Sequence, residues 1–158
     1  MGQVIPREKI EQIVSDLRKS NQKIVTTNGC FDILHVGHVR YLRKTAELAD
    51  VLIIALNSDS SVHRLKGHTR PVNPEQDRAE ILAALEFVDY VVIFEEDTPV
   101  NLLSIIKPDF HAKGGDYDIN TLPETGVIEE NGGKVVFIPF VEGKSTTNII
   151  ARAKVIKS

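Results

Sequence analysis

The chain has 158 residues, a formal net charge of −3 and 42% hydrophobic residues, which suits one domain with a closed core. With no Lys/Arg block it argues against a broad nucleic-acid-binding face, while a local cationic pocket stays open. Cys30 is the only cysteine, which excludes an intramolecular disulfide and a cysteine-cluster zinc site.

The start, Met1-Gly2-Gln3-Val4-Ile5-Pro6, lacks the apolar core of a signal peptide. No apolar run approaches the roughly 20 residues of a membrane helix, so a cytoplasmic protein without membrane contact is expected. Ile10, Ile13, Val14 and Leu17 recur at helical spacing and predict an amphipathic helix from about Arg7 to Lys19. A first strand is expected over Lys23–Thr27, then a glycine turn and a helix from about Gly37 to Leu48. The continuous apolar run Val51–Leu56 reads as a strand covered on both faces. A polar stretch with at most a short helical turn follows, carrying His63, Arg64, Lys66, His68 and Arg70. Asn73, Pro74 and Gln76 predict a capped helix start, with Asn73 as N-cap. Tyr90–Phe94 is the third expected strand, and Thr98-Pro99 opens a helix to Ile106. Asp109–Lys113 is the fourth strand, ended by Gly114-Gly115. A helix opened by Leu122-Pro123-Glu124 stops at Gly132-Gly133. Val135–Ile138 is the fifth strand, and a helix from Thr146 to about Val155 closes the chain. Strands alternating with helices and no tight hairpin predict a three-layer α/β domain with a five-stranded parallel sheet.

Ligands of such sheets bind at the carboxyl ends of the strands. Phosphate-binding chemistry (cations, glycines or hydroxyls at a helix start) follows four of the five expected strands. The segment from Thr26 to His38 is the densest, because strand, glycine turn and helix start are compressed there. A helix N-terminus attracts anions, and His35 and His38 lie three residues apart at this one. Zinc is the rival use for such a pair, but no third Cys, His or carboxylate follows at ligand spacing, so no metal site is expected. Ser145 or Thr146 can cap the last helix, worth about 1 kcal/mol, and the same face can hold an anion. Arg64 and Lys66 either close over phosphates or solvate a loop.

His35-Val36-Gly37-His38 resembles the HxGH signature of the nucleotidylyltransferase superfamily, and Ser145-Thr146-Thr147 resembles its second signature. From Lys23 onward the chain is similar to the D-glycero-β-D-manno-heptose 1-phosphate adenylyltransferase family. The similarity is carried by Arg64-Leu65-Lys66-Gly67, Arg70-Pro71, Glu96-Asp97-Thr98-Pro99, Lys113-Gly114-Gly115-Asp116-Tyr117, Leu122-Pro123-Glu124 and Glu142-Gly143-Lys144-Ser145-Thr146-Thr147. Phe140-Val141 departs from the Arg-Thr that glycerol-phosphate cytidylyltransferases typically carry there, which argues against the cytidylyl branch.

The resemblance implies a Rossmann-like fold with strand order 3-2-1-4-5. Residues 1–158 would form one nucleotidylyltransferase domain, with a helix within residues 1–22 packed on it. It implies transfer of AMP from ATP to heptose 1-phosphate, giving ADP-heptose and pyrophosphate, with Mg2+ carried mainly by the nucleotide phosphates. The chain resembles a free-standing form, so the heptose kinase and phosphatase would be separate proteins, and family likeness leans towards a homodimer. His35, His38 and Lys66 are the implied catalytic residues, with His38 nearest the α-phosphate. Asn28, Gly29, Cys30, Phe31, Arg64, Arg78, Gly115, Lys144, Ser145, Thr146 and Thr147 would line the nucleotide and its phosphates. Asp32, Asn57, Lys113 and Asp116 are candidates for the sugar phosphate. The alternatives are cytidylyl or guanylyl transfer to a polyol or heptose phosphate, and a non-catalytic nucleotide sensor.

Overall fold

The computed structural model describes residues 1–115, 118–139 and 145–156. Its centre is a parallel sheet whose strands are β1 (Gln3–Val4), β2 (Ile24–Gly29), β3 (Val51–Asn57), β4 (Tyr90–Phe94), β5 (Phe110–Gly114) and β6 (Lys134–Ile138). Among the described residues the sheet order is β1-β4-β3-β2-β5-β6, which corrects the expected five strands in order 3-2-1-4-5. The added strand is only two residues long, too short to show alternation in sequence. It holds the edge through register Gln3↔Tyr90 and Val4↔Val91 and through bonds from Gln3 N to Asp89 O and Ile5 N to Val91 O.

The helices are α1 (Ile10–Lys19), α2 (Val36–Ala46), α3 (Asp59–Lys66), α4 (Glu75–Ala83), α5 (Val100–Ile106), α6 (Thr125–Glu130) and α7 (Thr146–Val155). Successive strand side chains point to opposite faces, and the core divides accordingly. Ile24, Val51, Ile53, Ala55, Val92 and Phe94 pack with Ile10 and Val14 of α1 and Leu102 and Ile106 of α5. Val25, Leu52, Ile54, Leu56 and Val91 pack on the other face with Leu42 of α2 and Ala79 and Leu82 of α4. Every residue of β3 is buried, as its unbroken apolar run predicts.

Two local expectations change. The polar stretch after β3 forms a helix of eight residues, α3, with Ser58 as its N-cap accepting from Ser61 N. Asn73 does not cap α4; the N-cap is Pro74, without a side-chain bond. Asn73 is drawn elsewhere, its Nδ2 donating to the Asp32 carbonyl at 3.1 Å. Along the chain, β3 and β4 build outward on one side of β2 while β5 and β6 build on the other. The sheet therefore reverses direction between β2 and β5, where a crevice opens at the carboxyl ends.

Candidate active site

A cleft of about 350 Å3 lies at that reversal, bordered by the ends of β2 and β5, the start of α2, the loop after α3 and the start of α7. Its size suits a small-molecule ligand. Of the residues predicted for the site, Asn28, Gly29, Cys30, Phe31, Asp32, His35, His38, Lys66, Lys113, Ser145, Thr146 and Thr147 line it.

Two imidazoles cap α2. His35 is the N-cap in extended conformation; its Nδ1 accepts the Gly37 N–H at 3.0 Å, and His38 Nδ1 accepts the His35 N–H at 3.3 Å. This is the reciprocal geometry of a capping box, written with histidines in place of Ser and Glu. A backbone N–H can only donate, so both Nδ1 atoms act as acceptors and the proton of each neutral ring resides on Nε2. The rings stack with centroids 3.9 Å apart, and Phe31 meets His38 edge-on at 5.4 Å. Phe31 reaches that place at a left-handed φ of 44°, a conformation that non-glycine residues rarely hold outside constrained sites. Gly29 makes room for it, since a Cβ there would stand 2.9 Å from Phe31 Cε2.

Burial, followed by the influence of His35 and Lys66, holds His38 down to about 4, against an ordinary value of 6.5. The free protein therefore carries a neutral His38 at neutral pH. Between about pH 4 and 6.5 the unfolded chain binds the proton that the folded site refuses, so this group's contribution to stability falls as pH drops through that window. The His38 ring signal followed by NMR is expected to titrate near pH 4 in the free protein and to move upward with a triphosphate bound. A midpoint at 6.5 in the free protein would contradict the burial argument.

At the second helix start lining the cleft Ser145 caps α7, its Oγ accepting from Asn148 N at 3.0 Å. Thr146 Oγ1 donates to Ile33 O at 3.1 Å, tying α7 to the turn that leads into α2. The two segments picked out in sequence, 113 residues apart at this bond, thus face one cleft as two helix starts.

Other predicted residues sit beside the cleft. Arg64 is ion-paired with Asp97 at 2.7 Å and donates to the Glu95 carbonyl. Arg78 is buried, donating to Asn73 O, Cys30 O and Asn57 O and pairing with Asp59. Asn57 donates from Nδ2 to Ser61 Oγ, and Gly115 takes a φ of 89° while its N–H bonds Ile138 O. Asp116 and Lys144 lie outside the described residues.

Asp32 lines the cleft with its oxygens already engaged. It accepts from Arg70 Nε at 2.7 Å and from the N–H groups of Val72 and Asn73. Burial opposes its charge, but those donors win and keep the carboxyl below its usual range. Its effect is to clamp residues 70–73 and to fix Arg70, a cleft residue that was not among those expected at the site. Only the contact across 38 positions reveals that role. Among the described residues, Lys66, Arg70 and Lys113 thus give the cleft three cationic side chains. Burial pushes the Cys30 thiol up, against the pull of Lys66, Arg78 and Arg70, so it is no ready thiolate nucleophile.

The cytidylyltransferase-like family matches residues 26–152, which takes in both capped helix starts. The chain belongs to that family. Membership makes it an enzyme of the nucleotidyltransferase type. Similar curated proteins include the bifunctional protein HldE of a Nitratiruptor species, 58% identical over 93% of this chain. The bifunctional protein HldE of Campylobacter concisus is 54% identical over 96% of it. The chain spans 31% of the length of each of these two relatives. Among solved structures, the lipopolysaccharide core biosynthesis protein from Thermoplasma volcanium is similar with a TM-score of 0.63 and 27% identity, over 78% of this chain and 99% of that one. Among the described residues no helix is long and apolar enough to cross a membrane.

Proposed function

We propose that this family member transfers AMP from ATP to a heptose 1-phosphate, releasing pyrophosphate and forming ADP-heptose. The observation that carries the reading is the pair of capped helix starts facing one cationic cleft: His35 and His38 on α2, Ser145 and Thr146 on α7. The two relatives named HldE support the adenylyl and heptose assignments.

In the reaction an oxygen of the sugar phosphate attacks the α-phosphorus in line with departing pyrophosphate, with no covalent enzyme intermediate. Positioning and charge stabilisation dominate such chemistry. The start of α7 receives the β- and γ-phosphates, while the Nε2–H groups of His35 and His38 and the Lys66 ammonium meet the charge that builds on the α-phosphate and the leaving group. Mg2+ would come bound to the ATP phosphates. Asp32, with its oxygens taken by Arg70 and two backbone N–H groups, offers it no ready protein ligand, so phosphate oxygens would hold the ion. The product would feed assembly of the lipopolysaccharide inner core, and the preceding kinase and phosphatase steps would fall to other catalytic units.

The test is pyrophosphate release from each of ATP, CTP and GTP, incubated with heptose 1-phosphates of both anomers and with polyol phosphates. Release from ATP with a heptose 1-phosphate is expected. Release confined to CTP with a polyol phosphate would replace the proposal with a cytidylyl transfer, and ATP binding without release from any acceptor would replace it with a sensor.

A further inference from the structure

A buried carboxylate stands behind the cleft. Glu124, in the turn that leads into α6, is only 2% exposed. A buried charge is costly unless it is well paired. Its partners lie two residues apart on β5, hence on one face of the strand: Lys113 Nζ at 3.1 Å and His111 Nε2 at 3.6 Å. Burial works against ionisation, yet His111 and Lys113 together hold Glu124 down to about 2.

The same face carries the contact onward. Register pairs Thr26 with His111, and Thr26 Oγ1 lies 2.8 Å from His111 Nδ1. Burial keeps His111 below its usual range and so neutral. Nδ1 meets the Thr26 hydroxyl, which anchors the ring on that side, while Nε2 faces the carboxylate at 3.6 Å, beyond hydrogen-bond distance. Towards the cleft, Lys113 Nζ donates to Asn28 Oδ1 at 3.1 Å. That bond orients the Asn28 amide, since its oxygen must face the ammonium and its NH2 group turns elsewhere. Lys113 and Asn28 line the cleft, whereas Glu124 and His111 do not.

We propose that Glu124 is a positioning residue of this enzyme: through Lys113 it fixes an ammonium and, one bond further, the Asn28 amide, as a pair of donors for the oxygen-rich substrate. The assignment rests on the nucleotidyl-transfer reading above. A fixed pair of donors favours phosphate or hydroxyl oxygens held at one angle, and a Lys113 side chain released from Glu124 would have to be ordered anew at each binding event.

A double-mutant cycle tests this. Glu124→Gln keeps the shape and removes the charge, Lys113→Met removes the ammonium, and the double variant removes both. Each is compared with the wild type for kcat/KM of pyrophosphate release, for the affinity of ATP alone and for melting temperature. Each single change is expected to lower kcat/KM at least tenfold, and the double variant to fall within about twofold of Lys113→Met. A merely structural Glu124 would give losses that multiply in the double variant, and that result would overturn the proposal, as would a Glu124→Gln protein within twofold of the wild type. Should Glu124→Gln not fold, Glu124→Asp, which keeps the charge one methylene short, enters the same cycle with the same criteria. If the wild type itself releases no pyrophosphate, the functional reading fails separately and the cycle is read from ATP affinity, where an unchanged Kd in the Glu124 variant overturns the positioning role.

Discussion

A His38→Ala protein is expected to fold and to lose about a hundredfold or more in kcat. The imidazole supplies two things. Its Nδ1 accepts the His35 N–H in the cap, and its Nε2 carries the proton that can meet charge on the α-phosphate. Loss of a cap costs about 0.5–2 kcal/mol of stability and acts on the folded state. Loss of one preorganised donor costs roughly 3 kcal/mol in the transition state. The two parts separate experimentally, because a lowered melting temperature reports the cap while a lowered kcat at saturating ATP reports the donor. His38→Asn offers a shorter side chain with both an acceptor and a donor, and should recover part of the cap with little of the turnover. A His38→Ala enzyme with near wild-type kcat would remove the central element of the mechanism.

The helix starts were legible in sequence because capping is local. His35-Val36-Gly37-His38 and Ser145-Thr146-Thr147 announce N-termini within four residues, and both are found there. The β3 run was legible because burial on both faces leaves Val51–Leu56 without a polar position. Strand-end position tells which residues lie near the rim, but not which way they turn. Arg64 follows a strand end and Arg78 lies early in a helix, yet each has partners close at hand, Asp97 for one and three carbonyls for the other. The N-terminal strand is silent in sequence because two residues carry no period; its position follows from pairing with the edge of β4. The clamp of Asp32 on Arg70 and the anchoring of Lys113 by Glu124 span 38 and 11 positions respectively, and nothing in either local sequence requires them.

Arg78 leads to the second large effect, this time on stability. Its side chain is wholly buried, and its guanidinium reaches Cys30 O at 2.7 Å, Asn57 O at 2.8 Å and Asn73 O at 2.9 Å, with Asp59 Oδ1 at 2.8 Å. The first two carbonyls belong to the ends of β2 and β3 or the turn just beyond, and the third to the segment before α4. One planar fork therefore joins three chain segments beneath the cleft. Arg78→Met fills similar space but strands those carbonyls without donors and leaves Asp59 unpaired. Asp59 is about a third exposed and can turn to water, so the carbonyls carry most of the penalty, at about 1–3 kcal/mol for each group left buried and unbonded. A loss of at least about 3 kcal/mol is expected from the three carbonyls together. At about 2–4 °C per kcal/mol for a chain of this size, that is a fall of roughly 6–12 °C in melting temperature. Arg78→Lys should fall between, since an ammonium keeps the charge but cannot span three carbonyls in one plane. Asp59→Asn should change stability by less than about 1 kcal/mol, as expected for a partly exposed pair. Thermal unfolding of the three variants decides the matter. An Arg78→Met protein that melts like the wild type but binds ATP weakly would move Arg78 out of the scaffold and into direct contact with phosphate.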